Sequence, residues 1–237
     1  MNTESPKTIV LDFPGKNAFS TKAMEWIIAE IKSADGAPLL VTGSNGIFSA
    51  GMNLKEVAEK DPAGMVAFLR LLEDTCEALF NHPAPTVAVV NGHAIAGGCI
   101  IALCCDRVIA AAKPNSRIGL NEVALGLRFP PRILQLLRYR IPSSSLAEVV
   151  LEAGLHSPEN ALRLGLVDAV SEISESDGHQ MLKKLSALPR HAYSASKGDL
   201  QRGVLEISPE MEKAFIDDTV PRWVAPELKA MINAMFA

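Results

Sequence analysis

Apolar and polar positions follow two rhythms along the first 170 residues. TIVLDF (8–13), APLLVTG (37–43), TVAVVNG (86–92), RVIAA (107–111) and LVDAV (166–170) are short apolar, β-branched runs, which predict strands of the buried, parallel kind. Between them, apolar residues recur at spacings of three and four. Ile27, Ile28 and Ile31 within 21–34, and Val66, Phe68, Leu69, Leu72, Cys76 and Leu79 within 62–81, predict amphipathic helices. Ser20 or Thr21 caps the first, and Pro83 and Pro85 close the second. RIGLNEVALGL (117–127) reads as a strand running into a short turn or helix, with helices to follow near 130–140, 144–153 and 158–164. Beyond about residue 176 the pattern is helical, broken around Pro189, Pro209 and Pro226. Strands alternating with helices imply an α/β domain with parallel pairing. Residues 1–175 form its core, and 176–237 a helical C-terminal region without a hydrophobic core of its own.

Composition narrows the function classes. With 237 residues, 48% of them hydrophobic, the chain can bury a core that needs no disulfide or metal staple. A net charge of −4 argues against nucleic acid or an anionic membrane as partner. No run of 18 apolar residues occurs, so no membrane span is expected, and the start MNTESPKTIVLDF lacks the pattern of a signal or transit peptide. Cys76, Cys99, Cys104 and Cys105 lie in apolar stretches without C-x-x-C spacing, which predicts buried reduced thiols and a cytoplasmic location. His82, His93, His156, His179 and His191 are scattered, with no metal-ligand spacing, so no metal site is expected.

One segment departs from ordinary helix composition. HAIAGGCIIALCCD (93–106) follows a predicted strand and opens a buried helix on Gly97 and Gly98, although glycine costs roughly 1 kcal/mol against alanine there. No Gly-Lys-Ser/Thr ends it, and G-x-G-x-x-G and G-x-S-x-G are both missing, which sets aside the phosphate-loop, dinucleotide and nucleophile-elbow readings. Two physical uses remain. Close helix–strand packing needs a missing Cβ. So does the approach of a ligand oxygen to the free N–H groups of a helix start, where developing negative charge is stabilised. FSAGMNL (48–54), a small-residue loop after another strand, offers a second backbone donor.

FSAGMNLKEV (48–57), VNGHAIAGGCIIALCCDRVIAA (90–111), IGLNEVALGL (118–127) and NALRLGLVDAV (160–170), in this order and spacing, resemble the crotonase (enoyl-CoA hydratase/isomerase) superfamily. The resemblance implies a spiral of ββα units with a helical C-terminal region, assembled as a homotrimer or a pair of trimers. It implies an acyl-CoA thioester as substrate, with no cofactor beyond the CoA that the substrate carries. It assigns the two oxyanion-hole N–H groups to Met52 and Gly97. Ala50, Gly51, Met52, Asn53, Leu54, Gly97 and Asn121 become the substrate- and CoA-binding set. Asn53 stands where the family often has aspartate.

Hydratases of this superfamily carry two glutamates. One position is Glu122 here, and the other, three residues after the oxyanion glycine, is Ile100. Adding water across a double bond calls on two carboxylates, whereas moving a double bond needs one base to take a proton from C2 and return it at C4. Ile100 then lines an apolar acyl pocket. Glu122 is the single acid/base, its pKa raised by those surroundings. This pattern looks most like the mitochondrial-type 3-enoyl-CoA to 2-enoyl-CoA (dodecenoyl-CoA) isomerases. The rivals are another crotonase-type reaction (hydration, decarboxylation or thioester hydrolysis) and a non-catalytic acyl-CoA-binding relative. Glu56 and Asp61, after the loop, are expected to be solvated, and His93 to satisfy the turn before Gly97.

Overall fold

The computed structural model describes residues 5–236. Five strands, β1 (Lys7–Leu11), β2 (Leu39–Gly43), β3 (Thr86–Val90), β5 (Arg107–Ala111) and β8 (Ala169–Ser171), form one all-parallel sheet in the order β1-β2-β3-β5-β8. Successive side chains of a strand face opposite sides. Leu39, Val41, Ala88, Val90, Val108 and Ala110 enter the main core, while Leu40, Val87, Val89 and Ile109 form a second cluster closed by Leu182 of the helix Ser174–Ser186. Both faces are buried, so these strands read as continuous apolar runs rather than alternating ones.

Three shorter strands, β4 (Ala94–Ile95), β6 (Ile118–Gly119) and β7 (Leu155–His156), make a second sheet, with β4–β6 parallel and β6–β7 antiparallel. Isolated parallel bridges, Ser49 to Ala94 and Phe19 to Met52, carry this row back to the start of the chain. Each turn of chain thus lays one strand in the large sheet, a short extended piece in the second row, and then a helix. The helices are Thr21–Ser33, Leu54–Glu59 with Pro62–Phe80, Gly97–Leu103, and Pro131–Arg140 after a 3-10 turn at Val123–Leu125. This is the ββα spiral that the resemblance implies. Of the two-residue strands, β6 and the 3-10 turn after it are expected within 117–127, whereas β4 and β7 have no counterpart in the sequence pattern, because two residues carry no periodicity.

The helices after residue 174 pack onto this spiral. Val220, Trp223, Leu228 and Ile232 lie in the same cluster as Phe19, Met52, Met65 and Ile100. All four cysteines are buried and free of disulfides, as expected. Among the described residues no helix is long and apolar enough to cross a membrane.

Candidate active site

Three motifs far apart in sequence meet beyond the carboxyl ends of the parallel strands: the loop after β2, the turn after β3 and the segment after β6. Their order follows from the spiral, in which every parallel strand hands the chain to the second row at the same end.

The loop 48–54 is fixed by its neighbours. Ser49 donates its hydroxyl to the Asn17 carbonyl (2.8 Å) and accepts from the Gly51 N–H (3.1 Å). Phe19 N–H donates to the Gly51 carbonyl (2.8 Å), and Asn53 N–H donates to the Phe19 carbonyl (2.9 Å). The Met52 N–H belongs to the same peptide plane as the Gly51 carbonyl and points the opposite way. It therefore faces Gly97 rather than Phe19. Gly51 has φ +88°, and a Cβ on it would meet the Ile95 carbonyl at 2.8 Å and the Gly97 nitrogen at 3.2 Å, so both conformation and space require glycine. Among the described residues neither the Met52 N–H nor the Gly97 N–H has a protein acceptor.

The turn into Gly97–Leu103 is strained. Ala96 adopts φ 51°, ψ −122° without a side-chain cap, a conformation costing about 1–3 kcal/mol in a non-glycine residue. It is held by its N–H on the Gly119 carbonyl (2.8 Å) and by the Ile100 N–H on its own carbonyl (3.0 Å). The paired glycines divide the two uses that the sequence left open. A Cβ on Gly98 would lie 2.6 Å from the Ser49 carbonyl oxygen, so Gly98 permits helix–loop packing. A Cβ on Gly97 would meet only ordinary contacts, 3.5 Å to Phe19 and 3.7 Å to the Met52 nitrogen, so packing does not demand glycine there.

Glu122 opens the 3-10 turn, its carbonyl accepting from the N–H groups of Leu125 and Leu127 (3.0 Å each). Its side chain is 4% exposed, and Oε2 is buried without a partner. Burial raises its pKa to about 7, against a smaller opposing pull from its own backbone N–H, and no charged neighbour contributes. Asn121 beside it also holds a buried, unpartnered Oδ1. Cys99, in the first turn of the glycine helix, faces the same carboxylate. Burial, reinforced by the Glu122 charge, keeps its thiol far above the usual range and protonated. Sequence reasoning passed over Cys99, since nothing in an apolar helix singles out one thiol.

Ala50 and Leu54 flank the loop half-buried, and Ile100 is buried in the core. Asn53 caps the helix Leu54–Glu59, its Oδ1 accepting the Glu56 N–H (3.3 Å). His93 accepts the Arg117 N–H at Nδ1 (3.1 Å) and serves the turn. The expectation of solvated acids holds for Asp61, which is exposed and caps the helix Pro62–Phe80 through the Gly64 N–H (2.7 Å). It needs correction for Glu56, which is half-buried and bonded to Thr21 and Lys60. Clefts of about 770, 580 and 550 Å³ border the helices beyond residue 174, and none is lined by Met52, Gly97 or Glu122. The groups set out above are marked by unpaired polar atoms, not by cavity size.

Comparison with known proteins agrees with the fold. The family profile described as Enoyl-CoA hydratase/isomerase matches residues 4–215. The mouse protein named enoyl-CoA delta isomerase 1, mitochondrial, is 32% identical over 171 residues, covering 71% of this chain and 59% of its own length. The 2,3-dehydroadipyl-CoA hydratase of Escherichia coli K12 is 30% identical over 199 residues, covering 79% of this chain and 74% of the hydratase. Human mitochondrial delta3-delta2-enoyl-CoA isomerase superposes with a TM-score of 0.87 over 97% of this chain and 92% of its own, at 24% identity, a likeness of fold.

Proposed function

Because this chain belongs to the enoyl-CoA hydratase/isomerase family, we propose that it shifts the double bond of 3-enoyl-CoA thioesters to give 2-enoyl-CoA. The observation that carries this reading is a buried carboxylate oxygen left without a partner. Glu122 has one oxygen unpartnered and a pKa near 7, and Ile100 stands where a hydratase has its second acid. The thioester oxygen accepts from the Met52 and Gly97 N–H groups. Ionised Glu122 takes a proton from C2, giving a dienolate whose charge falls partly on that oxygen. The carboxylic acid then returns the proton to C4, and the double bond ends between C2 and C3. No water is consumed and Glu122 is regenerated. Two preorganised donors supply on the order of 5 kcal/mol of dienolate stabilisation. A base with a pKa near the working pH is suited to both proton transfers. Ala50, Gly51, Asn53, Leu54 and Asn121 line the path of the substrate, and the trimeric assembly implied by the resemblance belongs to the same reading.

Hydration is the second reading, favoured by the similar identity to a hydratase. Incubation with trans-3-hexenoyl-CoA and with crotonyl-CoA separates the two. Isomerisation raises the conjugated enoyl-thioester absorbance of the first and leaves the second unchanged. Rapid loss of the crotonyl-CoA absorbance would replace isomerisation by hydration. Glu122→Gln is expected to lose turnover by about 10²–10⁴-fold while still binding CoA thioester.

A further inference from the structure

The sequence Asn53-Leu54-Lys55-Glu56 has the form of a capping box, in which the glutamate returns to the backbone N–H of the capping residue. Half of that box is made: the Asn53 side chain accepts the Glu56 N–H. The other half is not, because the Asn53 N–H is already committed to the Phe19 carbonyl. Glu56 reaches instead to another helix. Its Oε2 accepts the Thr21 N–H (3.0 Å) and its Oε1 the Thr21 hydroxyl (2.5 Å), with Lys60 Nζ 2.8 Å from Oε1. Thr21 opens the helix Thr21–Ser33, whose first N–H groups lack intrahelical acceptors and favour a carboxylate. Burial pushes the Glu56 pKa up, but the bonds from Lys60 and Thr21 outweigh it and hold the group below the usual carboxylate range. It is therefore an anion at neutral pH.

These bonds bracket Met52. Phe19 grips the Gly51 carbonyl and the Asn53 N–H, and two residues later Thr21 is gripped by Glu56. We propose that Glu56 is a positioning residue, locking the segment Phe19–Thr21 against the loop so that the Met52 N–H is held toward Gly97. The inference rests on the oxyanion role proposed for Met52. Glu56 touches no substrate. It acts through Phe19, whose N–H on the Gly51 carbonyl fixes and polarises the plane that carries the Met52 N–H.

Acetoacetyl-CoA tests this in the full chain, because its enolate, bound at the two N–H groups, has an ultraviolet band that the keto form lacks. Wild type is expected to develop the band on titration. Glu56→Ala should weaken enolate binding about tenfold, and Glu56→Gln, which keeps one acceptor oxygen, by a smaller factor. Butyryl-CoA has no enolate charge, and its affinity should stay within about twofold in both variants. Thr21→Val, which removes the hydroxyl donor from the other side of the contact, should weaken the enolate as Glu56→Gln does. An enolate band in Glu56→Gln and Thr21→Val equal to that of wild type overturns the positioning role. Equal weakening of butyryl-CoA and enolate does so too, since that is general damage to the site. No band in wild type overturns the oxyanion role itself, and the positioning role with it.

Discussion

Gly97 and Gly98 are adjacent, yet substitution should separate them. Alanine at Gly98 drives a methyl to 2.6 Å from the Ser49 carbonyl oxygen, a backbone atom that cannot step aside. The better helix propensity returns about 1 kcal/mol, but overpacking costs about 1–3 kcal/mol, so Gly98→Ala is expected to lower the free energy of unfolding. At Gly97 the added methyl finds ordinary van der Waals distances and the helix start is retained. Gly97→Ala should therefore unfold at or slightly above the wild-type denaturant midpoint. The same methyl sits 3.7 Å from the Met52 nitrogen, in the space proposed for the thioester oxygen. Turnover should fall by about 10²-fold or more, the scale of one lost oxyanion donor. Urea unfolding and single-turnover rates on both variants check the pair. A Gly97→Ala enzyme that is fully active would remove the reason for placing the oxygen there.

At the scale of elements, the sequence carried the long pieces well and the short ones poorly. The helices at 21–33 and 62–80 and the strands of the large sheet announce themselves by period and by continuous apolar runs. The second sheet is two residues deep at each strand, and its existence depends on bridges such as Ser49 to Ala94 that join distant segments. The same holds at the candidate site. Glu122, Met52 and Gly97 stand in runs with a recognisable order, whereas the clasp of Glu56 on Thr21 spans two helices and leaves no local trace. The helix Ser174–Ser186 is another case. Gly178 in its middle looks like a weak point, but an added Cβ would lie 2.3 Å from Val89 Cγ2 on β3. Val89 is β-branched, fully buried and stiff, so the clash is not relieved by a rotamer change. Gly178→Ala is expected to destabilise by about 1 kcal/mol despite its gain in propensity. Val89→Ala, destabilising by itself, should become less so in the presence of Gly178→Ala. A double-mutant cycle in urea gives this coupling, and additive effects would mean that the helix and sheet separate freely.

At the scale of the whole molecule, the acid/base proposed for catalysis is also a standing charge on stability. In the unfolded chain Glu122 titrates near the ordinary carboxylate value of 4.5, and in the fold near 7. Between those values the folded state holds a proton that the unfolded state has lost. Stability therefore falls as pH rises through that window and levels off above it. A shift of this size amounts to about 3 kcal/mol. Glu122→Gln is neutral at every pH and escapes the penalty. Against wild type it should gain up to ~3 kcal/mol at pH 8 and almost nothing near pH 4.5, with the difference opening between the two. Other carboxylates move the absolute curves, but they move both proteins together and cancel in the comparison. Activity should run the opposite way, rising with pH as Glu122 ionises, so that the least stable form of the site is the working one. Urea midpoints of both proteins across pH 4.5–8, beside the pH profile of kcat/KM for trans-3-hexenoyl-CoA, measure the two trends. If the stability curves run parallel, Glu122 is ionised at no cost in the fold, and a base tuned by burial cannot account for the reaction.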